Sequence, residues 1–182
     1  MVDIKKERLE QLNLANELNR LVSSYSDTTD LMEAMVHALK KFVSIDWVAL
    51  ARFSATTATL IPLCRTIDIG KWNEPVTLKN TPLALLREKK HALLESDLKK
   101  SKLQNNDIYR GLQAQGIRTV VYMPLFSQRE PIGSLIVGSK QVNAYHDRDL
   151  RLIKYTTTQI NTILERHESQ EISKRDRETL EW

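Results

Sequence analysis

The sequence predicts an α+β fold in which helical ends bracket a mostly antiparallel sheet. Three observations carry this. Residues 4–25 and 147–182 contain no glycine or proline and space their apolar residues at helical intervals. The stretch between them is rich in short apolar runs broken by polar turns. Within it, "VVYMPLFSQREPIGSLIVGS" (120–139) is a hairpin whose arms are apolar at nearly every position. Successive strand residues point to opposite faces, so this hairpin needs cover on both sides.

The elements follow in order. In the first helix Leu14, Leu18, Leu21 and Tyr25 make a narrow 4-3-4 seam. "SSYSDTTD" breaks it and supplies Asp27, Thr28 or Thr29 as a cap for the next helix. There Leu31, Ala34, Met35, Ala38, Leu39, Phe42 and Val43 form a core-facing stripe. "IDWVALARF" (45–53) and "TLIPLCRTI" (59–67) read as an antiparallel strand pair, with Pro62 marking an edge or a bulge. "VTL" (76–78) and "HALLE" (91–95) are short strands. Between them Thr81 caps a short helix that carries Pro82 in its first turn, where a missing N–H costs nothing. "SDLKKSKLQNND" is a lysine-bearing polar loop, and "IYRGLQAQG" is a short helix that stops at Gly116.

Composition narrows the function. At 182 residues, with 41% hydrophobic and 27% charged residues, the chain has the size and make-up of one globular domain with helical extensions. Its net charge of +4 is mild, and "KKSK" (99–102) has Asp97 nearby and no interleaved aromatics, so it reads as a solvated loop and not as a nucleic-acid patch. A single cysteine, Cys64, excludes an internal disulfide framework and suits a reducing cytoplasm. No apolar run approaches the ~20 residues of a membrane span, and "MVDIKKERLEQL" has no signal-peptide core. No metal-spaced cluster, glycine-rich phosphate loop or Ser-His-Asp arrangement is readable, so no enzymatic activity is expected.

With these elements placed, the sequence resembles a GAF domain, a small-molecule sensing and dimerisation module of bacterial signalling proteins. The matching segments are "GIRTVVYMPL" (116–125), "PIGSLIVGS" (131–139), "AYHDRDLRLIKYTTTQINTIL" (144–164) and, earlier, "TTDLMEAMVHALKKFVSIDWVALARF". The resemblance implies a central, roughly six-stranded antiparallel sheet, with terminal helices on one face and a pocket walled by short helices and loops on the other. It also implies a regulatory part of a sensor histidine kinase or related signalling protein. Within the family, bilin attachment needs a cysteine commonly followed by His, but Cys64 precedes Arg65 and reads as a small strand hydrophobe. The methionine sulfoxide reductases cycle through several cysteines, which this chain lacks. "VNAYHDRDL" has the Asn, aromatic and Asp of a cyclic-nucleotide signature without its Lys or Asp-Glu pair. Haem would need an axial His. Of His37, His91, His146 and His167, only His91 falls in the implied pocket, where a structural role outweighs ligation. The cofactor therefore stays unassigned.

An anionic or polar metabolite is the remaining ligand class. Arg65, Arg110 and Arg118 border the implied pocket and offer forks for carboxylate or phosphate. Tyr109, Tyr122 and Trp72 could wall it, with His91 at one end. For each residue the alternative is a surface ion pair or simple packing, and for Arg118 a service to the fold.

In the last helix Leu150, Ile153, Thr157, Ile160 and Leu164 form a seam that ends where the helix turns charged, from Glu165 onward. A polar helix leaving a domain needs packing or continuation to persist. The expected organisation is therefore an N-terminal signalling helix (1–25), a sensor domain (26–165) and a charged extension (166–182). The helical ends would pair in a homodimer and lead to an output domain in the same polypeptide. The alternative is a structural dimerisation module with a collapsed pocket.

Overall fold

A computed structural model describes residues 3–64, 74–103 and 106–180. Helices α1 (Ile4–Val22) and α2 (Thr28–Lys40) precede strands β1 (Trp47–Phe53), β2 (Thr57–Cys64) and β3 (Pro75–Thr77). Helix α3 (Pro82–Lys89), strand β4 (Leu93–Glu95), a 3-10 turn (Leu98–Lys100) and α4 (Asp107–Ala114) follow. The hairpin β5 (Thr119–Ser127) and β6 (Glu130–Ser139) then leads into α5 (Asp147–Leu180). The six strands form one antiparallel sheet in the order β3-β2-β1-β6-β5-β4.

The local signals act as expected. Asp27 caps α2 by accepting from the Asp30 N–H at 2.9 Å, and Thr81 caps α3. Gly116 follows α4 with φ +81°, a conformation that glycine adopts without steric cost. Pro62 sits opposite Ala49 where the β1–β2 register shifts, and among the described residues β3 pairs with Thr57, Ala58 and Thr59. The missing proline N–H therefore falls on a stretch of β2 whose outer side β3 does not pair. Gly133 is demanded by packing: a Cβ there would stand 2.2 Å from the backbone oxygen of Ala51 on β1.

The alternation of β5 and β6 sorts the sheet into two cores. Val121, Met123, Leu135 and Val137 join Val48 and Leu50 under α1, α2 and α5. Val120, Tyr122 and Ile136 join Trp47, Ala49 and Leu60 under α3, the 3-10 turn and α4. The hairpin is apolar on both faces because each face has its own helical layer.

The terminal helices are bound to each other by charge as well as by apolar packing. Arg148 donates from Nε to Glu10 at 2.7 Å, and from Nη1 to the Phe42 carbonyl at 3.0 Å and to Asp149 at 2.9 Å. One guanidinium thus ties α5 to α1 and to the end of α2.

Candidate functional site

The short-helix face holds polar groups in a dry setting. Tyr109 on α4 and Tyr122 on β5 are 0% and 1% exposed; their hydroxyls approach each other, and that of Tyr109 approaches Glu95 and Ser101, but none of these approaches has full hydrogen-bond geometry. They lie close enough to couple electrostatically with each other and with Glu95 at the end of β4. Burial first, and then in Tyr122 its Tyr109 neighbour and Glu95, pushes the phenols above their ordinary value and keeps both protonated. The Ser101 hydroxyl donates to Glu95 Oε1 at 3.2 Å and also couples to Tyr109. Two phenols, a hydroxyl and a carboxylate therefore converge at the inner side of this layer. A cleft of about 700 Å³ opens on the same layer between β3, the start of α3 and α4. Lys79, Asn80, Lys102, Asn106 and Arg110 are among its lining residues.

A second cavity of about 630 Å³ lies on the opposite face, between β4, β5 and α5. Its walls include Leu94, Met123, Phe126 and Leu150. Asn161 of α5 accepts the Phe126 N–H at 2.9 Å and so fixes the helix against the strand there.

The site residues expected from sequence scatter across these features. Tyr109 and Tyr122 are together, but inside the packed layer. Arg110 lines the cleft and pairs with Asp107 at 2.5 Å. Arg118 donates from Nε and Nη2 to the two carboxylate oxygens of Asp97, at 3.0 and 2.9 Å. It is a latch between β5 and the loop that follows β4, so the service to the fold is what its geometry performs. The same loop is held by the Arg118 carbonyl, which accepts from Leu98 N at 2.7 Å. Thr119 joins it, with its hydroxyl 2.9 Å from the Ser96 carbonyl. His91 is exposed and lines the helix-side cavity, not the short-helix face. Arg65 and Trp72 lie outside the described residues.

The expected dimer seam is occupied within the single chain. Leu14, Leu18, Ile153 and Ile160 are at most 1% exposed, Thr157 is 4% exposed, and Leu21, Leu150 and Leu164 pack against the same core. Helical spacing identified residues that need apolar cover, and their own sheet and neighbouring helices provide it. Apolar side chains left in water on α1 are Ile4, Leu9 and Leu12, which are more than half exposed. Sequence reasoning passed over Glu95 and Ser101; the one signal for them was an acid closing the apolar run "HALLE". Among the described residues no group of three His, Cys, Asp or Glu side chains is placed to hold a metal.

The family model for the GAF domain matches residues 27–164. The chain belongs to the GAF domain family. Solved GAF structures share its fold at low identity. The GAF domain of a two-component sensor histidine kinase from Bacillus halodurans superposes with a TM-score of 0.68 at 16% identity, covering 78% of this chain and 95% of that one. The GAF domain of a phosphoenolpyruvate-protein phosphotransferase from Coxiella burnetii gives 0.73 at 10%, covering 89% and 98%. A free methionine-R-sulfoxide reductase from Neisseria meningitidis, solved with its substrate, gives 0.68 at 14%, covering 88% and 90%. At these identities the likeness concerns the fold. No curated protein matches the sequence. GAF domains are signalling and sensory modules, and the expected α+β sheet with terminal helices on one face is present. Among the described residues no helix is long and apolar enough to cross a membrane.

Proposed function

We propose that this GAF domain is a non-catalytic, cytoplasmic sensory module that binds a small polar molecule on its short-helix face and relays occupancy through its terminal helices. The observation that carries the reading is the pair of buried tyrosine hydroxyls, poorly paired with each other and with Glu95 and Ser101. A buried hydroxyl left unpaired costs about 1–3 kcal/mol, so a ligand that supplies its hydrogen bond gains by doing so. The ligand enters from the cleft beside α4, where Lys79, Lys102 and Arg110 favour an anionic portion. Ligand strain reaches α1, α2 and α5 through the sheet that both layers share. The shift in helix packing is no larger than the ligand's differential affinity for the two arrangements.

The output domain belongs to the same polypeptide, and α5 leads to it. Residues 165–179 of α5 are exposed, and Ile172 is an isolated apolar residue among charges. In a homodimer the two copies of this extension lie side by side, and Ile4, Leu9 and Leu12 of each α1 meet the partner. A second reading is favoured by the packing of Trp47, Leu60, Leu83, Leu86 and Leu112, all at most 1% exposed on the short-helix face. In that reading the module dimerises and binds nothing.

Native mass spectrometry under gentle desolvation separates the two. A dimer carrying reproducible extra mass, lost on activation and absent from Tyr122→Phe, supports the sensor. A bare dimer supports the dimerisation module. A bare monomer at micromolar concentration, unchanged by Leu9→Glu, refutes both.

A further inference from the structure

The helix-side cavity is not needed for either reading, and its chemistry is distinct. Its sheet wall is apolar, with Val121, Met123 and Phe126 on β5 and Leu94, opposite Val121, on β4. Its other wall is a stripe of α5 in which Asp147, Leu150, Lys154, Thr158 and Asn161 recur at intervals of three and four. The volume of about 630 Å³ is that of a site for a small organic molecule. Long cations at its rim differ in their commitments. Lys90 is held by Glu130 at 2.7 Å and Arg151 by Glu7 at 2.6 Å. Lys154 has no carboxylate partner among the described residues and its side chain is exposed. The acid of the lining, Asp147, lies seven residues earlier, about 10.5 Å along the helix axis, so the acidic and basic ends are separate. His91 lies in the lining with its Nδ1 2.9 Å from the Ala92 carbonyl. The hydroxyls of Thr157 and Thr158 donate to carbonyls of their own helix, at 2.7 and 3.0 Å.

We infer that this cavity binds an amphipathic monocarboxylate, with its apolar part against Met123, Phe126 and Leu150 and its carboxylate at Lys154. The apolar wall supplies affinity in proportion to the area it removes from water. Lys154, the cation of the lining without a carboxylate partner among the described residues, selects one negative charge and orients the molecule. The site deepens the sensory reading by adding a ligand class next to α5, the helix that carries the relay. Binding itself depends on neither the tyrosine pair nor dimerisation.

Decanoate is the probe, titrated below its micelle concentration into the whole chain carrying ¹³C-methyl methionine. The Met123 methyl resonance is expected to move saturably, while those of Met32 and Met35, which are buried on α2, stay in place. Lys154→Glu is expected to weaken binding about tenfold, and decanol to bind about fivefold more weakly than decanoate. Thr158→Trp, from an exposed position on the lining, is expected to abolish the shift with the thermal melt retained. If Thr158→Trp does not fold, Lys154→Glu decides alone. No Met123 shift, an unchanged affinity in Lys154→Glu, or equal affinity for decyltrimethylammonium would overturn the inference. So would a Met123 shift that follows protein concentration instead of decanoate, which would assign the cavity to a second copy. The dimer mass and the Tyr122 dependence are read in a separate experiment, so failure here and failure of the sensory reading are distinguishable.

Discussion

The two faces of the sheet are built from the same strands but are finished differently. The helix face buries Leu14, Leu18, Met35, Leu39 and Ile153 with almost no exposed area; its buried Thr156 and Thr157 donate to their own helix, and among the described residues a single tyrosine hydroxyl of this face, that of Tyr145, is left without a partner. The short-helix face buries Tyr109 and Tyr122 with their hydroxyls poorly paired, next to a carboxylate. One isolated hydroxyl in an apolar layer offers a guest little, whereas two phenols, a hydroxyl and a carboxylate brought together offer several hydrogen bonds at one place. The contrast teaches that stability and reception are divided between the two layers of this domain, which share the sheet as their only common part.

The contrast can be broken most severely on the closed face. Leu39→Ala removes a fully buried side chain between α2 and the sheet, and should cost about 2–5 kcal/mol in urea unfolding. A loss under 1 kcal/mol would mean that this layer is not the stabilising one. On the other face the sign should reverse. Tyr122→Phe deletes a buried hydroxyl that lacks a well-formed hydrogen bond and should stabilise the ligand-free protein by about 1 kcal/mol. Destabilisation by the same amount would show that the hydroxyl has a partner, ordered water included.

The Asp97–Arg118 latch allows a finer test through pH. Partial burial pushes the Asp97 carboxyl up, but the Arg118 hydrogen bond, the Lys99 backbone N–H and the charges of Arg118 and Lys100 outweigh it and hold it below its ordinary value. A depressed carboxyl contributes stability that is complete above its unfolded pKa and is lost as pH falls through the folded one. Asp97→Asn should therefore lower the melting temperature at neutral pH, with a deficit that shrinks towards strong acid. A deficit constant across pH would locate the loss in packing. Smallest of all, Arg110→Ala removes an exposed ion pair at the cleft and should change stability by about 0.5 kcal/mol or less. If it also weakens the ligand mass seen in native spectra, the cleft is the entrance.

Much of the fold was legible because it rests on periodicity. The 3-4 stripe of α2, the caps at Asp27 and Thr81, the stop at Gly116 and the two-sided hairpin are local patterns with local causes. Pro62 announced an irregularity, and the register shift lies beside it. The site was less legible. Arg118 was an arginine next to an implied pocket, and its partner Asp97 lies 21 residues away across a loop. His91 sits near β4, where either face was open to it, and the backbone path sends it to the helix-side cavity. Lys154 and Thr158 gave no signal, because they become a cavity wall only when α5 lies over β5.

The sequence by itself determined which residues must leave water and in which secondary structure they do so, since hydrophobic spacing and capping act within a few residues. It also determined the family, through segments whose order and spacing survive in the chain. Only the tertiary structure decided where that apolar area goes. The leucine seams of α1 and α5 have the spacing of a dimer interface, yet they are spent inside one chain. Spacing states a demand for cover and is silent on its source. The source is fixed by which surfaces the folded chain brings within contact distance, and the same rule decided that Tyr109 and Tyr122 would be buried side by side with Glu95 and Ser101.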